Sequence, residues 1–324
     1  MKKFKDKECE RQTKLITESD IFEGTAGGAR FLGKERPFVL TDGLTNIYAD
    51  IRKDVVSYFK DNGISWWGGS RPTGHILSSQ TACLNHLFAL RKNPDAVLAM
   101  LKRVRDEFTE VLPIKSDKDS GYIGFEVVSD SDYLNEGEPN RGSNCTSVDA
   151  FILAKHISGE TWLIPIEWKY TEHYDNQDKS TDDRPNEPKG TNGKGKERMS
   201  RYNTLIDTSK QLKSLSSYQG SVYYFEPFYQ LMRQTLWAEQ MISHKNRERI
   251  KADNYIHIHV IPNENDELLH KRYKVSGKEM EESWREMLSD QSKYVIVDPK
   301  KLLEPVKGLY PQLFTYLSDR YWNM

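Results

Sequence analysis

Two opposite charges interrupt residues 162–170, a run that is otherwise apolar and rich in residues that favour β-strands. Such a run predicts a strand that is buried on one or both faces. Because side chains alternate along a strand, Glu167 and Lys169 share one face and Trp168 points to the other. Charges at such positions cost desolvation energy unless they are paired, hydrated or bound to a metal. The pair is therefore a candidate functional site.

A third charged residue, Asp149, lies in residues 147–155, another apolar run bounded by polar residues. The segment 157–160 between the two runs contains Gly159 and predicts a hairpin turn. Counting outward from this turn brings Asp149 to the level of Glu167 and Lys169, to within a residue or two. We therefore expect all three side chains to meet on one patch of a sheet.

The residue types of this patch indicate a chemistry. Two carboxylates provide hard oxygen ligands that leave room for water and phosphate oxygens, as Mg²⁺ prefers, and Mn²⁺ can substitute. A neighbouring ammonium can orient or deprotonate an attacking water and offset charge on a phosphate. The predicted reaction is hydrolysis of a phosphodiester.

The pattern resembles the PD-(D/E)xK nuclease superfamily, whose signature is an Asp on one strand and Glu or Asp, any residue, then Lys on the next. Asp149, Glu167 and Lys169 match it, although Val148 stands where the superfamily often has Pro. Residues 78–87 and 228–234 also resemble segments of a bacterial restriction-endonuclease-like family, so the resemblance covers roughly residues 40–260. A second E-x-K sequence at residues 187–189 lies in a polar loop with no strand around it, so the strand context carries the inference.

The resemblance implies an α/β fold with a restriction-endonuclease-like core, in which helices flank a mixed central β-sheet in αβββαβ order. It implies a Mg²⁺-dependent nuclease acting on nucleic acid, with DNA the expected substrate, in restriction or host defence. Asp149 and Glu167 would bind the metal, and Glu126 on the preceding strand would be an extra acidic ligand or an ordinary solvent-facing residue. Gln230 and Arg233, which share a helix face, would contact phosphate or serve as surface residues.

Two alternatives remain open at this stage. A cross-strand salt bridge between Asp149 and Lys169, with Glu167 solvated, would explain the charges without catalysis. A non-catalytic nucleic-acid-binding or protein-interaction module could also use the same fold. The paired His257 and His259 on a predicted strand suggest a Zn²⁺ or Mn²⁺ site, but such residues more often pack or face solvent.

Composition limits the class of protein. The 324 residues are 37% hydrophobic and have a mean hydropathy of −0.75, which argues against a membrane protein. Residues 1–20 hold many charges and no apolar stretch, so neither a secretory signal nor an anchor is expected.

Three widely spaced cysteines fit a reducing cytoplasm without structural zinc. The net charge of −1 supplies no general attraction for nucleic acid, although residues 189–201 are locally basic and form either a phosphate-tracking loop or a solvated insertion.

The expected organisation is an arm or irregular lead-in over residues 1–40, then a single nuclease domain over 41–324. This domain would carry a polar insertion near 172–203 and a C-terminal α/β embellishment. Helices are predicted over 47–59, after Ser78, over 94–108, 204–217, 226–244, 279–288 and 309–321, and strands over 122–128, 147–155, 162–170, 255–261 and 294–298.

Aromatic runs and the number of active sites raise two further questions. Residues 66–69 and 223–225 could stack nucleic-acid bases, but aromatic side chains more often belong to a core. A single triad cuts one phosphodiester at a time, so breaking both strands of a duplex requires a homodimer or sequential nicking. The apolar run 309–317 is a candidate dimer interface, with core packing of the last helix as its alternative.

Overall fold

The computed structural model describes residues 2–142, 145–181 and 193–323. Apolar residues at helical spacing, bounded by caps and turns, form most helices, whereas β-prone runs form the strands of one large sheet. The elements in chain order are α1 (Phe4–Glu18), β1 (Arg30–Phe31), β2 (Lys34–Glu35), α2 (Ala49–Asp61), α3 (Ser79–Leu87), α4 (Pro94–Val104), β3 (Phe108–Leu112), β4 (Gly124–Val127), β5 (Val148–His156), β6 (Thr161–Trp168), α5 (Lys194–Thr208), α6 (Phe228–Ser243), β7 (Asn254–Tyr255), β8 (His257–Val260), α7 (Asp266–Leu269), α8 (Met280–Glu286), β9 (Tyr294–Val297), α9 (Pro299–Leu303) and α10 (Pro311–Leu317).

The central sheet is mixed. Its path runs β3-β5-β6-β8-β9, with β4 beside β5 and β7 beside β6. Strands β3 to β6 pair antiparallel, whereas β6, β8 and β9 run parallel. The succession α4, β4, β5, β6, α6 and β8 contains the predicted αβββαβ order, and the α/β fold class is confirmed.

The sheet separates two hydrophobic cores, as expected for a sheet covered by helices on both faces. One core contains Ile164, Ile166 and Trp168 of β6 together with side chains of α2, α3, α4 and α10. The other contains Leu163 of β6 with side chains of α5, α6 and α8. Odd-numbered residues of β6, including Glu167, therefore face α6, while Trp168 faces the opposite core.

The first strand of the sheet was not predicted. The helix predicted over residues 94–108 ends at Val104, and Phe108 instead begins β3. Of the five residues in β3, only Phe108 and Val111 are buried. Phe108 follows Val104 by four residues and Val111 follows Phe108 by three, which is helical spacing, so the sequence pattern favours a longer helix where the chain forms a strand.

Residues 1–40 are not simply irregular, because they contain the 15-residue helix α1 and the short hairpin β1–β2. The buried positions of α1 are Phe4, Glu8, Gln12 and Ile16, four residues apart. Two of the four are polar, and Glu8 accepts a hydrogen bond from the Tyr170 hydroxyl. The helix therefore lacks the apolar period that sequence analysis relies on.

The helix predicted over residues 204–217 begins earlier, at Lys194, and ends at Thr208. Only Gly195, Tyr202 and Ile206 are buried in it, so its first half lacks an apolar face and its sequence resembles the polar insertion predicted near 172–203. Part of that insertion, including Lys189 and the second E-x-K sequence, lies outside the described residues.

The remaining predicted elements are confirmed within a few residues at their ends. The helix predicted over 309–321 is α10 followed by a π-helical segment over residues 318–322. Leu313, Phe314 and Leu317 of α10 are buried, so most of the apolar C-terminal run packs into the core. In the part of the chain that the structure describes, no helix has the length and apolar character required to cross a bilayer.

Candidate active site

The hairpin β5–β6 brings the first two candidate residues level with each other. Ala150 pairs with Ile166 across the hairpin, so the antiparallel register sets Asp149 opposite Glu167, as the turn at residues 157–160 predicted. One oxygen of Asp149, Oδ2, accepts a hydrogen bond of 2.7 Å from the Trp168 amide. This bond fixes the carboxylate of Asp149 at the end of β6.

Lys169 follows β6 directly and extends the sheet by one bond, since its amide donates to the Val260 carbonyl at 2.9 Å. Its ammonium forms a buried ion pair with Glu167 Oε1 and donates to Gln230 Oε1 at 2.5 Å. The ring of Tyr174 lies 5.8 Å from the nitrogen. An ammonium has three donors, so Glu167 and Gln230 leave one available for a water or a phosphate oxygen.

Helix α6 covers the face of the sheet on which these charges lie. Gln230 and Gln234 are one helical turn apart, so they point to the same side of α6. Gln230 contacts Lys169, and Gln234 donates to Glu167 Oε2. Both oxygens of Glu167 therefore accept a hydrogen bond, yet each keeps a second lone pair for another ligand.

Glu126 enters the same patch through an unusual backbone conformation. It lies in β4, where Phe125 pairs with Ala150 and Val127 with Val148, so the register sets it opposite Asp149. Its φ of 50° is left-handed, which is costly for a residue with a Cβ. Gln80 Nε2 and Ser147 Oγ donate to its two oxygens at 2.7 and 2.8 Å. Strain of this kind persists where the surroundings hold it, often at functional sites.

The three carboxylates repel one another. Burial and the charges of Glu167 and Glu126 raise the pKa of Asp149 well above its usual range. Burial also raises the pKa of Glu126, with a further contribution from Glu167. For Lys169, burial disfavours the charged form, but the charges of Glu167 and its other acidic neighbours together outweigh burial, and the pKa is raised well above its usual value. The patch therefore combines an ammonium that favours its charged form with two carboxyl groups whose ionisation is disfavoured until a positive charge joins them.

The donor set fits a magnesium ion, although the described residues contain no ready-made cluster of three or more His, Cys, Asp or Glu ligands. Mg²⁺ usually binds one or two carboxylates and completes its shell with water and substrate phosphate. Asp149 Oδ1 accepts no hydrogen bond from the described residues, and Asp149 and Glu167 face each other on adjacent strands. A cation there would offset the repulsion that raises the pKa of Asp149.

A comparison with protein-family models identifies the family of the chain. The model of a family described as "Restriction Endonuclease associating with ARP" matches residues 5–322. The chain belongs to this restriction-endonuclease family. Searches among curated proteins and solved structures found no match. The match supports a restriction-endonuclease-like nuclease and nucleic acid as its partner, and it includes α1 within the family's extent.

Arg233, the second helix residue predicted to contact phosphate, is directed away from the carboxylate patch. Its Nε donates to Glu136 Oε1 at 2.9 Å, and the Tyr202 hydroxyl donates to the same oxygen at 2.6 Å. Gln230, by contrast, reaches Lys169. Of the two residues, only Gln230 contacts the predicted triad.

The structure bears on two other interpretations of the sequence, a different salt bridge and a metal site at the paired histidines. The alternative of a salt bridge from Asp149 to Lys169 with Glu167 solvated is wrong in its pairing, because Lys169 pairs with Glu167, which is only 4% exposed. His257 and His259 are both buried in β8, and His259 Nδ1 lies 2.8 Å from the Tyr294 hydroxyl. Neither belongs to a metal-binding cluster within the described residues.

Sequence reasoning missed three supporting side chains, Gln80, Ser147 and Gln234. Gln234 could have been found by extending the helix face of Gln230 by one turn. Gln80 lies within residues 78–87, already singled out for their resemblance, but its partner Glu126 is 46 residues away. Only the folded arrangement of α3 against β4 reveals that contact.

Replacing Gln80 with leucine is expected to lower the free energy of unfolding by about 1–3 kcal/mol, because Glu126 would lose one of its two buried donors. Cleavage activity should also fall, by about 10- to 100-fold if Glu126 supports a metal. Chemical denaturation and rate measurements on the purified variant test both effects. Gln240→Leu is a matched control, since the Gln240 side chain makes no hydrogen bond among the described residues. Unchanged stability in Gln80→Leu would show that the bond to Glu126 is dispensable.

Proposed function

We propose that this protein is a metal-dependent nuclease that hydrolyses phosphodiester bonds of DNA, acting in restriction or host defence. The observation that carries the proposal is the meeting of Asp149, Glu167 and Lys169 at the end of one hairpin. Membership of a restriction-endonuclease family supports the same reaction class. The setting in restriction or defence rests on the family description alone.

In this proposal Asp149 and Glu167 hold Mg²⁺, or Mn²⁺ in its place, and Glu126 is a further ligand or holds a metal-bound water. When bound, the ion would supply Lewis-acid neutralisation of the phosphate charge. Gln234 keeps the carboxylate of Glu167 in position, and the Trp168 amide does the same for Asp149. These contacts hold the acidic groups in place before substrate arrives.

Lys169 acts as a donor in this proposal. Its raised pKa keeps the side chain protonated near neutral pH, so the ammonium orients the attacking water and offsets charge on the phosphate. Gln230 sets the direction of the ammonium through its 2.5 Å hydrogen bond. The role of Gln230 is therefore to position Lys169, and phosphate contact by Gln230 or Arg233 is a secondary proposal.

The direct test is cleavage of plasmid, linear duplex, single-stranded DNA and RNA by the purified protein. We expect nicking or cutting of DNA with Mg²⁺ or Mn²⁺ and loss of activity in EDTA. Cleavage that persists in EDTA, or in a variant carrying both Asp149→Ala and Lys169→Ala, contradicts the assignment.

A second candidate function is a non-catalytic module that binds nucleic acid or protein. The buried ion pair between Lys169 and Glu167 favours it, since this pair forms without substrate. Calorimetric titration with Mg²⁺ and Mn²⁺ separates the two candidates. Binding that disappears in Asp149→Ala supports the enzyme, whereas no Asp149-dependent binding supports the module.

The need to cut both strands of a duplex leads to a proposal about the oligomeric state of the protein. If the substrate is duplex DNA and both strands break together, two active sites are needed, which a two-fold symmetric homodimer supplies. Most of the C-terminal apolar run is occupied in the core, although Leu309 is 61% exposed. Light scattering on the free and DNA-bound protein tests the proposal, because a monomeric complex that makes concerted double-strand breaks contradicts it.

A further inference from the structure

The hairpin formed by residues 30–35, which we call the Leu32 hairpin, has a costly residue at its tip. Phe31 pairs with Lys34, so Leu32 and Gly33 form a two-residue loop. Their φ angles are 50° and 77°, as in a type I′ turn, where asparagine, aspartate or glycine is preferred at the first position. Leucine there has to adopt a left-handed backbone that disfavours side chains with a Cβ.

Leu32 gains nothing in packing from this position. Its side chain is 83% exposed, more than any other large hydrophobic residue that the structure describes. A residue that is both conformationally strained and exposed lowers stability without a visible compensation in the fold. Local exceptions of this kind are expected at functional positions.

The surroundings of the tip are basic. Residues 29–38 contain Arg30, Lys34 and Arg36 against one acid, Glu35, and Arg71 is exposed in the neighbouring loop. Among the described residues these four cations form no ion pair. The tip therefore presents an apolar side chain inside a patch of unneutralised positive charge, although the whole chain has a net charge of −1.

A short chain of contacts links the Leu32 hairpin to the candidate active site. The Phe31 ring lies 5.3 Å from the ring of Trp67, which is 44% exposed. The Trp67 amide donates to Gln80 Oε1 at 2.9 Å, and Gln80 Nε2 donates to Glu126 at 2.7 Å. A molecule held at the hairpin is thereby positioned relative to the carboxylate patch.

We infer that the Leu32 hairpin is a contact for duplex DNA, in which Leu32 inserts between base steps from the minor groove and the surrounding cations contact phosphates. Apolar wedges flanked by basic residues bind DNA in this way and partly unstack the bases. The positive patch selects a polyanion rather than an ordinary protein surface. The inference rests on the proposed function in one respect, that the bound DNA is the substrate.

The test measures DNA binding and base unstacking without cleavage, using the full-length protein with Ca²⁺ in place of Mg²⁺. A labelled duplex reports affinity by fluorescence anisotropy, and a duplex containing 2-aminopurine reports unstacking. Leu32→Asn should weaken binding about tenfold and remove the 2-aminopurine signal, while its melting temperature equals or exceeds that of the wild type because asparagine suits the turn. If Leu32 had a purely structural role, weaker binding would not occur together with an equal or higher melting temperature.

The charge contribution is tested separately. Arg30→Ala with Lys34→Ala should lower the slope of log K against log salt by about 2, since two phosphate contacts are lost. Ile157→Asn is the matched control for Leu32, being 66% exposed in the β5–β6 turn. Lys300→Ala with Lys301→Ala is the control for two exposed cations elsewhere, and neither control should change unstacking or the salt slope.

The outcomes separate this inference from the proposed function. If the wild type cleaves DNA and Leu32→Asn binds and unstacks the duplex equally well, the inference is overturned and the nuclease assignment stands. If the wild type does not cleave but binds DNA through Leu32, the inference stands and the nuclease assignment fails. No detectable binding of the wild type to duplex DNA also overturns the inference.

Discussion

Asp149→Asn is expected to abolish cleavage and to raise the melting temperature of the metal-free protein. Asparagine can still accept the hydrogen bond from the Trp168 amide, so the local backbone should hold. It removes one of three mutually repelling carboxylates, the one whose pKa burial and its neighbours raise well above the usual range. Relief of this repulsion should stabilise the fold by about 0.5–2 kcal/mol, as substitutions at strained functional sites often do. The rate should fall by at least about a thousandfold, or about 4 kcal/mol in activation free energy.

Magnesium provides a second measurement on the same variant. A ligand that binds only the folded state stabilises it by about 2.7 kcal/mol at a hundredfold excess over its Kd. We therefore expect added Mg²⁺ to raise the melting temperature of the wild type and to leave that of Asp149→Asn unchanged. The order of stability of the two proteins should reverse as Mg²⁺ is added.

Glu136→Gln is a matched control, because Glu136 is also a buried carboxylate but is fully paired. It accepts from Arg233, Tyr202 and Thr146, so loss of its charge should destabilise the fold by about 1–3 kcal/mol. Replacing the carboxylate by an amide is thus expected to stabilise the fold at Asp149 and to destabilise it at Glu136. If Asp149→Asn were also destabilising without metal, the repulsion at the site would be too weak to support a cation-binding role.

The core of the candidate site could be predicted because it depends on local rules. Strand alternation places Glu167 and Lys169 on one face, and the position of the turn sets the register of Asp149. Both follow from residues fewer than 25 apart in the chain. The hairpin observed in the structure agrees with them.

The contacts of the supporting residues depend on folding over longer distances in the chain. Glu126 is a predicted candidate, but no sequence rule assigns its left-handed φ to glutamate. Gln234 shares the helix face of Gln230, but its contact with Glu167 joins residues 67 apart in the chain. The helix α1 was missed because Glu8 and Gln12 occupy its buried face. In each case a polar residue lies at a buried position where hydrophobic periodicity predicts an apolar one. Its hydrogen-bond partners can be identified only in the folded structure.

Lys169→Met is expected to lower the rate of cleavage by about 10²- to 10⁴-fold, the range for loss of a group that assists proton transfer or stabilises charge. The substitution keeps the length of the side chain but removes the ammonium that pairs with Glu167 and Gln230. Lys271→Met is a matched control, since Lys271 Nζ donates to the Tyr174 carbonyl at 2.5 Å and contacts none of the three carboxylates. Single-turnover kinetics with saturating Mg²⁺ measures the loss.

The stability of Lys169→Met distinguishes a catalytic ammonium from a structural one. Without metal, Glu167 would be a buried carboxylate that has lost its counter-charge, which costs about 3–5 kcal/mol. A bound Mg²⁺ can replace that counter-charge, so Mg²⁺ should raise the melting temperature of this variant more than that of the wild type. The rate, however, should stay low, because a cation on Glu167 does not replace a donor to the attacking water. If Mg²⁺ restored both stability and rate, Lys169 would serve only to neutralise Glu167.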